Sequence, residues 1–309
     1  MEEIKMDIKK YALGVDIGGT KIFIMMATQF GEVIYKKKVE STGDLSKIAN
    51  IIDAFIDESK IERDQIFGMG IGVPGEVNSI SGVVRVSVQM GWKNTDVKGY
   101  FSKHYSFPVY VKNDVNCSAL GERWIGNGNN SDHIAYISIG TGLGGAIIAN
   151  GQLVEGYSFS GGEFGYIVNL EDSNEDQLNN LDEFGCLERR ISGYYLTEKS
   201  KAVGFGARDL FTEYAKGNVV AEEIVKPFIK YLSILIANLI SMLNPEYVII
   251  GGGVSESMNE ILDPIIEKVQ KMTIFPATIK LSKLGGAAGA LGCIYHVFDK
   301  SRVWNISEK

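Results

Sequence analysis

Apolar residues fall into two patterns along the chain: short continuous runs, and segments in which every third or fourth residue is apolar. A run that stops at glycine, proline or polar residues predicts a buried strand, and the wider spacing predicts a helix. The predicted strands are Tyr11–Ile17, Ile22–Ala27, Ile66–Val73, Val109–Lys112, Ile134–Ile139, Ala146–Ala149, Tyr247–Ile250 and Thr278–Leu281. The predicted helices are Leu45–Phe55, Ser118–Trp124, Phe228–Leu243, Ile261–Met272 and Ala287–Phe298.

One arrangement, a strand followed by a glycine turn and a second strand, occurs twice. Tyr11–Ile17 leads into Gly18-Gly19-Thr20, and about one domain length later Ile134–Ile139 leads into Gly140–Gly145. A repeat at this distance predicts a duplicated α/β architecture.

Composition and charge narrow the class of protein. The 309 residues are 45% hydrophobic and 22% charged, which excludes intrinsic disorder and suffices for two domains with their own cores. The net charge of −7 predicts no general attraction to nucleic acid or to an anionic membrane, so we expect neither as a partner.

Three features bear on the compartment. Cys117, Cys186 and Cys293 are far apart without a Cys-x-x-Cys pair, which favours a reducing cytoplasm over a disulfide framework. The first ten residues are charged and lack the apolar core of a signal peptide. The apolar segment Phe228–Leu243 is shorter than the roughly 20 residues of a membrane span, so we predict a buried core helix.

The glycine turns suggest phosphate binding. A tight glycine turn exposes backbone N–H groups without side-chain bulk, so phosphate oxygens can approach it. Asp16, Thr20 and Lys21 add a carboxylate, a hydroxyl and an ammonium, which suit a magnesium–phosphate complex with Asp16 on the metal or its waters. One such turn alone is more typical of a hairpin. Two matched turns, with Gly251–Gly253 after a third strand, favour the phosphate hypothesis.

A second candidate site is Asn113-Asp114-Val115-Asn116, at the end of a predicted strand. A carboxylate there could take the proton from a hydroxyl that attacks a γ-phosphate. Asp and Asn are also common helix caps, so the alternative is a purely structural role.

Several landmarks in order resemble the ROK family (repressors, open reading frames and kinases) of sugar kinases. They cover nearly the whole chain: Asp16–Lys21, Gly72–Gly75, Asn113–Asn116 with Ala119–Glu122, Gly140–Gly145, Gly161–Gly165, Gly185–Glu188 and Gly251–Gly253. The resemblance implies an actin/hexokinase-like (ribonuclease H-like) duplicated two-domain α/β fold with a central cleft. We expect domains at 1–113, completed by a C-terminal helix at about 288–305, and at 114–287.

The resemblance also implies roles for individual residues. Asp114 matches the family's catalytic base. The expected sugar-binding residues are Gly75, Asn113, Asp114, Glu163, Tyr166 and Glu188. The expected ATP-binding residues are Asp16, Gly18, Gly19, Thr20, Lys21, Gly140, Thr141, Gly142, Gly252 and Gly253, with Asp16 also serving Mg²⁺.

The implied activity is phosphorylation of a hexose by ATP at its 6-hydroxyl, with glucose as the first candidate and a homodimer as a family expectation. N-acetylmannosamine kinase, β-glucoside kinase and fructokinase are alternatives. A sugar-sensing regulator without catalysis is a remote one: such repressors carry a DNA-binding domain before the first strand, and only ten residues precede Tyr11 here.

One family landmark is broken. Zinc-bearing members have a histidine after the Glu-x-Gly run and then a cysteine-rich loop. The corresponding positions here are Tyr166, Asn179, Leu181 and Cys186, which offer one good zinc ligand. We therefore expect no zinc, and an altered sugar contact at Tyr166.

Overall fold

A computed structural model describes residues 11–169, 171, 179–180 and 183–300. They form two compact units, residues 11–125 with 287–300, and residues 126–286. Helix Asp114–Ile125 belongs to the first unit, whereas the expected boundary after residue 113 assigned it to the second. The C-terminal helix of the first unit spans Ala288–Lys300, and residues 301–305 of the expected helix lie outside the described residues.

The first unit is built on a five-stranded sheet in which long apolar runs form the central strands. Its strands are β1 (Tyr11–Ile17), β2 (Lys21–Thr28), β3 (Val33–Glu40), β4 (Ile66–Val73), β5 (Glu76–Asn78), β6 (Val83–Ser87), β7 (Trp92–Asp96) and β8 (Val109–Asn113). Its helices are α1 (Leu45–Ser59), α2 (Val97–His104), α3 (Asp114–Ile125) and α8 (Ala288–Lys300). The main sheet has the order β3-β2-β1-β4-β8, and β5-β6-β7 form a small second sheet.

The two faces of this main sheet differ. One face carries alternate apolar residues, such as Leu13 and Val15, in a core shared with α1 and α2. The opposite face carries glycines where α8 crosses it. A Cβ at Gly14 or Gly70 would overlap a carbonyl oxygen of α8, so only glycine permits this close approach. Helix α8 therefore completes a unit that the start of the chain begins.

Helices α3 and α8 also contact each other at backbone distance. A Cβ at Gly121 of α3 would overlap the Ala288 carbonyl oxygen, and one at Gly292 of α8 would overlap the Cys117 carbonyl oxygen. The small residues thus hold α3, which begins at Asp114, against α8.

The second unit is built on a similar sheet. Its strands are β9 (Ile134–Ile139), β10 (Leu143–Ala149), β11 (Gln152–Leu153), β12 (Tyr247–Gly251) and β13 (Thr278–Leu281), in the order β11-β10-β9-β12-β13. Its helices are α4 (Gly193–Ser200), α5 (Leu210–Ala215), α6 (Val219–Leu243) and α7 (Asn259–Gln270).

Helix α6 lies in the core of the second unit. It is long and apolar enough to cross a membrane by length and composition, but 67% of its most apolar stretch is buried inside the protein. Phe228, Leu232 and Ile236 pack against the sheet within one hydrophobic cluster. The prediction of a buried core helix is confirmed, although α6 begins earlier than predicted.

The two main sheets have the same topology. In each, a central strand (β1 or β9) pairs antiparallel with the next strand and parallel with a later one (β4 or β12). A further parallel strand, β8 or β13, follows at the edge. The predicted duplication is confirmed.

Candidate active site

Asp16 and Asp114 lie on either side of a glycine in the first unit. Asp16 is near the end of β1, and Asp114 is the first residue of α3, directly after β8. Gly72 of β4, the strand between β1 and β8, is paired with Asp16. A Cβ at Gly72 would lie 3.4 Å from Asp16 Oδ1 and 3.5 Å from Asp114 Cα. The Cys293 sulfur would lie nearer still, at 3.1 Å, so glycine lets β4 pass between the two aspartates without crowding them.

Both aspartates hold protons more tightly than usual. Burial, and then the negative charge of Asp114, raise the pKa of Asp16 to about 8, although Lys38 opposes the shift. Burial raises the pKa of Asp114 to about 6, although the backbone N–H of Val115 stabilises its charged form. Desolvation disfavours a carboxylate, and a cation beside the pair would offset this cost.

Asn113, rather than Asp114, caps α3. The Asn113 side-chain oxygen accepts the backbone N–H of Asn116 at 3.0 Å, three residues on, as an N-cap does. The Asp114 carboxylate accepts the N–H of its neighbour Val115, at 2.9 Å, and not the N–H of Asn116. The helix-cap role therefore belongs to Asn113. The Asp114 carboxylate is not needed to cap α3.

Asn113 also fixes the loop that follows β4. Its side-chain N–H donates to the Gly75 carbonyl oxygen at 3.1 Å. Gly75 has φ of +102°, and a Cβ there would overlap the Val86 carbonyl oxygen, so glycine is required. The structure brings together two of the expected sugar-binding residues, Gly75 and Asn113, next to Asp114.

The first glycine turn presents unpaired backbone donors. Gly18 N–H bonds the Lys21 carbonyl oxygen at 2.9 Å and so closes the turn. Among the described residues, none accepts a hydrogen bond from the exposed backbone N–H groups of Gly19 and Thr20. Lys21 lies 3.7 Å from Glu40 in an exposed ion pair that contributes little to stability. The turn can therefore bind anionic oxygens through its backbone.

The glycine turn of the second unit has the same property. The carbonyl oxygens of Gly140 and Thr141 accept the N–H groups of Gly193 and Tyr194, at 2.8 and 3.0 Å, at the start of α4. Within the described part of the chain, no acceptor faces the N–H groups of Thr141 and Gly142. Two carbonyl oxygens of this turn thus bond to α4, whereas the N–H groups of Thr141 and Gly142 can bind a ligand.

Glu188 links this turn to another loop. Its Oε1 accepts the Leu143 N–H at 2.7 Å, and its Oε2 accepts the Gly185 N–H at 2.9 Å. A Cβ at Gly142 would overlap Glu188 Oε1, so the close approach of the carboxylate needs glycine. Glu188, expected at the sugar, thus also positions the second glycine turn.

A model of the ROK family matches residues 12–300. The chain belongs to the ROK family. A glucokinase of Halalkalibacterium halodurans is 30% identical to it and covers 92% of this chain and 93% of its own. The xylose repressor of Caldicellulosiruptor bescii is 28% identical over 93% of this chain and 78% of its own.

Solved structures agree with this assignment. The crystal structure of a ROK family glucokinase from Streptomyces griseus, in complex with glucose and AMPPNP, is 27% identical. It covers 92% of this chain and 98% of its own, with a TM-score of 0.77. The two similar sheets belong to the actin/hexokinase-like fold that ROK hexokinases have.

Two segments of this ROK protein are held together around Tyr166. The Leu187 and Glu188 N–H groups both donate to the Gly165 carbonyl oxygen, at 3.0 and 3.1 Å. The Asn179 side chain donates to the Tyr166 carbonyl oxygen at 2.9 Å and accepts the Cys186 N–H at 2.8 Å. The Asn179 side chain thus joins two positions that differ from the zinc motif, Tyr166 and Asn179 itself, to the retained cysteine, Cys186.

The remaining positions of the broken zinc motif are less informative. Leu181 lies outside the described residues. Within the described part of the chain, no three His, Cys, Asp or Glu side chains are grouped so that they could hold a metal ion. Glu163, one of the expected sugar-binding residues, is exposed at the start of the short 3₁₀ turn Phe164–Tyr166.

The last expected nucleotide contact, Gly252-Gly253, directly follows β12. Gly252 has φ of +82°, and the Ile139 backbone lies where a Cβ would be. The Ser255 hydroxyl donates to the Gly252 carbonyl oxygen at 2.7 Å. This turn is fixed against the strand that leads into the second glycine turn.

Sequence reasoning missed two residues near the first glycine turn. The Lys38 ammonium lies 4.5 Å from the ring centre of Phe23, which pairs with Asp16, and its positive charge lowers the pKa of Asp16. Ser41 bonds two carbonyl groups of the turn. Lys38 is an exposed residue of the edge strand β3, and the strand register that places it beside Phe23 is not evident from the sequence.

Proposed function

We propose that this chain is an ATP-dependent kinase that phosphorylates a hexose at its 6-hydroxyl, with Asp114 as the general base. The observation that carries the proposal is the Asp114 carboxylate. It lies beside Asp16, it is not the cap of α3, and its pKa is raised to about 6. A base of that pKa is ionised at neutral pH and is a stronger proton acceptor than an ordinary aspartate.

In the proposed reaction, an oxygen of Asp114 accepts the proton of the sugar hydroxyl while the hydroxyl oxygen forms its bond to the γ-phosphorus. The bond from that phosphorus to the β–γ bridging oxygen breaks, and ADP leaves. In the first unit we assign the Gly19 and Thr20 N–H groups and the Lys21 ammonium to the phosphate oxygens, whose negative charge they would stabilise. In the second unit we assign the Thr141 and Gly142 N–H groups to the same task. We assign Gly252 and Gly253 to the adenosine.

The residues around Asp16 fit a magnesium ion. Its carboxylate provides the hard oxygen ligand that Mg²⁺ prefers, and its raised pKa indicates a site where a cation would relieve unfavourable negative charge. When bound with ATP, Mg²⁺ would offset charge on the transferring phosphoryl group. Asp16 holds the ion or its waters in this proposal.

The sugar would lie against the Gly75 loop and the side chains of Asn113, Glu163, Tyr166 and Glu188. Asn113 uses one side-chain N–H for Gly75, and no described residue accepts the second. Tyr166 offers a phenol that can donate or accept one hydrogen bond. We expect this contact to admit hexoses other than glucose, so N-acetylmannosamine, a β-glucoside and fructose stay alternatives.

The test is ADP release, coupled to a second enzyme, with glucose, mannose, fructose, N-acetylmannosamine, N-acetylglucosamine and cellobiose. We expect MgATP-dependent turnover with at least one of them, and mass spectrometry should show the phosphate on the 6-hydroxyl. If no sugar increases ADP release above the rate without sugar, the kinase assignment is wrong.

The similarity to a repressor supports a second candidate, a sugar-binding regulator without catalysis. The same assay separates the two. A regulator would bind a sugar in calorimetry without turnover, and the Asp114→Asn variant would bind that sugar and behave as the wild type does.

A further inference from the structure

We propose that Ser41 is a positioning residue for ATP, because it fixes the peptide groups of the first glycine turn in the orientation that presents their N–H groups to phosphate. This inference rests on the proposed function, since it assigns phosphate to the Gly18–Lys21 turn. It concerns a residue outside every motif that marks the ROK family in this chain.

Ser41 bonds the turn at two points. Its hydroxyl donates to the Gly18 carbonyl oxygen at 2.6 Å, and its backbone N–H donates to the Thr20 carbonyl oxygen at 3.1 Å. Ser41 directly follows β3, which pairs with β2, so the strand register delivers it to the turn. The pairing of β2 with β3 ends at Lys21 and Glu40, immediately before Ser41.

The orientation of a peptide group links these bonds to the ligand. In a planar trans peptide, the carbonyl and the N–H of one unit point in opposite directions. When the Ser41 hydroxyl holds the Gly18 carbonyl, the Gly19 N–H points away from Ser41. The Gly19 N–H is one of the two turn donors that no described residue accepts.

Glycine makes this restraint necessary. Gly18 and Gly19 have no Cβ to limit their backbone angles, so the peptide between them can rotate at little cost. Without the Ser41 hydroxyl, the turn would sample orientations in which the Gly19 N–H does not face the phosphate. A ligand would then bind only the fraction of molecules with the correct orientation.

The test compares Ser41→Ala with Ser41→Thr, which keeps the hydroxyl, and with Thr42→Ala as a matched control. Thr42 is the next residue, and its hydroxyl accepts the Asp44 N–H at 3.2 Å, ahead of α1 rather than in the turn. The measurements are KM for MgATP and for the sugar, kcat, and the Kd of MgADP by calorimetry without sugar.

Ser41→Ala should raise the Kd of MgADP and the KM of MgATP about 5- to 20-fold, as loss of one partly buried hydrogen bond would. The KM of the sugar and the melting temperature should stay near the wild-type values. Ser41→Thr and Thr42→Ala should bind MgADP normally. Should Ser41→Thr fold poorly, Ser41→Cys, which keeps a weak donor, should give an intermediate Kd.

The inference is overturned if Ser41→Ala binds MgADP with the wild-type Kd, whether or not its melting temperature falls. Calorimetry with MgADP tests the role of Ser41 independently of the proposed kinase activity. A wild type that binds MgADP but phosphorylates no sugar refutes the kinase and still tests Ser41. A wild type that does not bind MgADP refutes both.

Discussion

Asp16 and Asp114 face the same glycine, Gly72, and the negative charge of Asp114 contributes to the raised pKa of Asp16. The two pKa shifts have different causes, since burial alone raises the pKa of Asp114. With pKa values near 8 and 6, the two carboxylates are suited to different tasks: Asp16 to a cation that displaces its proton, and Asp114 to accepting a proton at neutral pH.

Replacing Asp114 with asparagine should reduce kcat by about 10²- to 10⁴-fold, because the change keeps the shape and removes the proton acceptor. The variant should bind sugar and nucleotide with near-normal Kd in calorimetry, since Asn113 still caps α3. The control is Asn116→Ala at the same helix end, which should keep most of the activity. Near-normal turnover by Asp114→Asn would show that Asp114 is not the base.

The rate should depend on pH through Asp114. Because its pKa is raised to about 6 and the base must be ionised, kcat should fall roughly tenfold per unit below pH 6 and level off above it. The measurement is kcat at saturating sugar and MgATP from pH 4.5 to 9. A rate that stays constant down to pH 4.5 would contradict the assignment.

The magnesium requirement should depend on pH near neutrality, where a site built on an aspartate of ordinary pKa would already be ionised and would show no change. A proton on Asp16, whose pKa is about 8 without metal, competes with the ion. The free Mg²⁺ concentration for half-maximal rate should therefore be higher at pH 6.5 than at pH 8.5. Asp16→Ala should raise this concentration, lower kcat, and leave the Kd of the sugar without ATP unchanged. Equal loss of sugar binding would indicate misfolding instead.

Glu188→Gln tests the link between the second glycine turn and the Gly185 loop. The amide can accept only one of the two N–H groups that the carboxylate accepts, and its NH₂ faces the other donor. We expect a loss of about 1–3 kcal/mol in the free energy of unfolding, measured with urea, and a higher KM for the sugar. Glu198→Gln, in an exposed ion pair with Lys201, is the control and should change stability by less than about 0.5 kcal/mol.

Protein purified without a histidine tag should contain no stoichiometric zinc, and a chelator should not inactivate it once Mg²⁺ is restored. A closed zinc site needs about four ligands, and Tyr166, Asn179, Leu181 and Cys186 provide one thiol. Asn179→Ala should lower the melting temperature, because its amide bonds both the Tyr166 carbonyl and the Cys186 N–H. One zinc per chain by elemental analysis would contradict the prediction of a zinc-free protein.

The sequence identified the elements that are dominated by burial. β1 and β9 have the bounds that their apolar runs predict, because each run ends at a glycine turn. The small sheet β5-β6-β7 was missed because its strands are only three to five residues long, and β5 and β7 each contain a single apolar residue. Helix α3 begins four residues before its prediction, since its first turn has a cap and polar residues but no apolar spacing.

The sequence predicted those site residues that lie within local motifs. Asp16, Asp114 and the glycine turns stand out locally, because each combines a special backbone with a chemical group. Ser41 and Asn179 do not, because their roles depend on partners that only the tertiary fold brings near. A lone serine after an edge strand gives no signal about which carbonyl it bonds.

The packing of α8 on Gly14 and Gly70 sets an order of events during synthesis. The second unit is continuous in sequence and can fold while the chain is still attached to the ribosome, because all of its strands precede residue 287. The first unit is discontinuous: its β1 emerges early, but the helix that covers that face is translated only after the second unit. The Asp16 carboxylate, against which Gly289 of α8 packs, therefore acquires its final surroundings only after the second unit has been made.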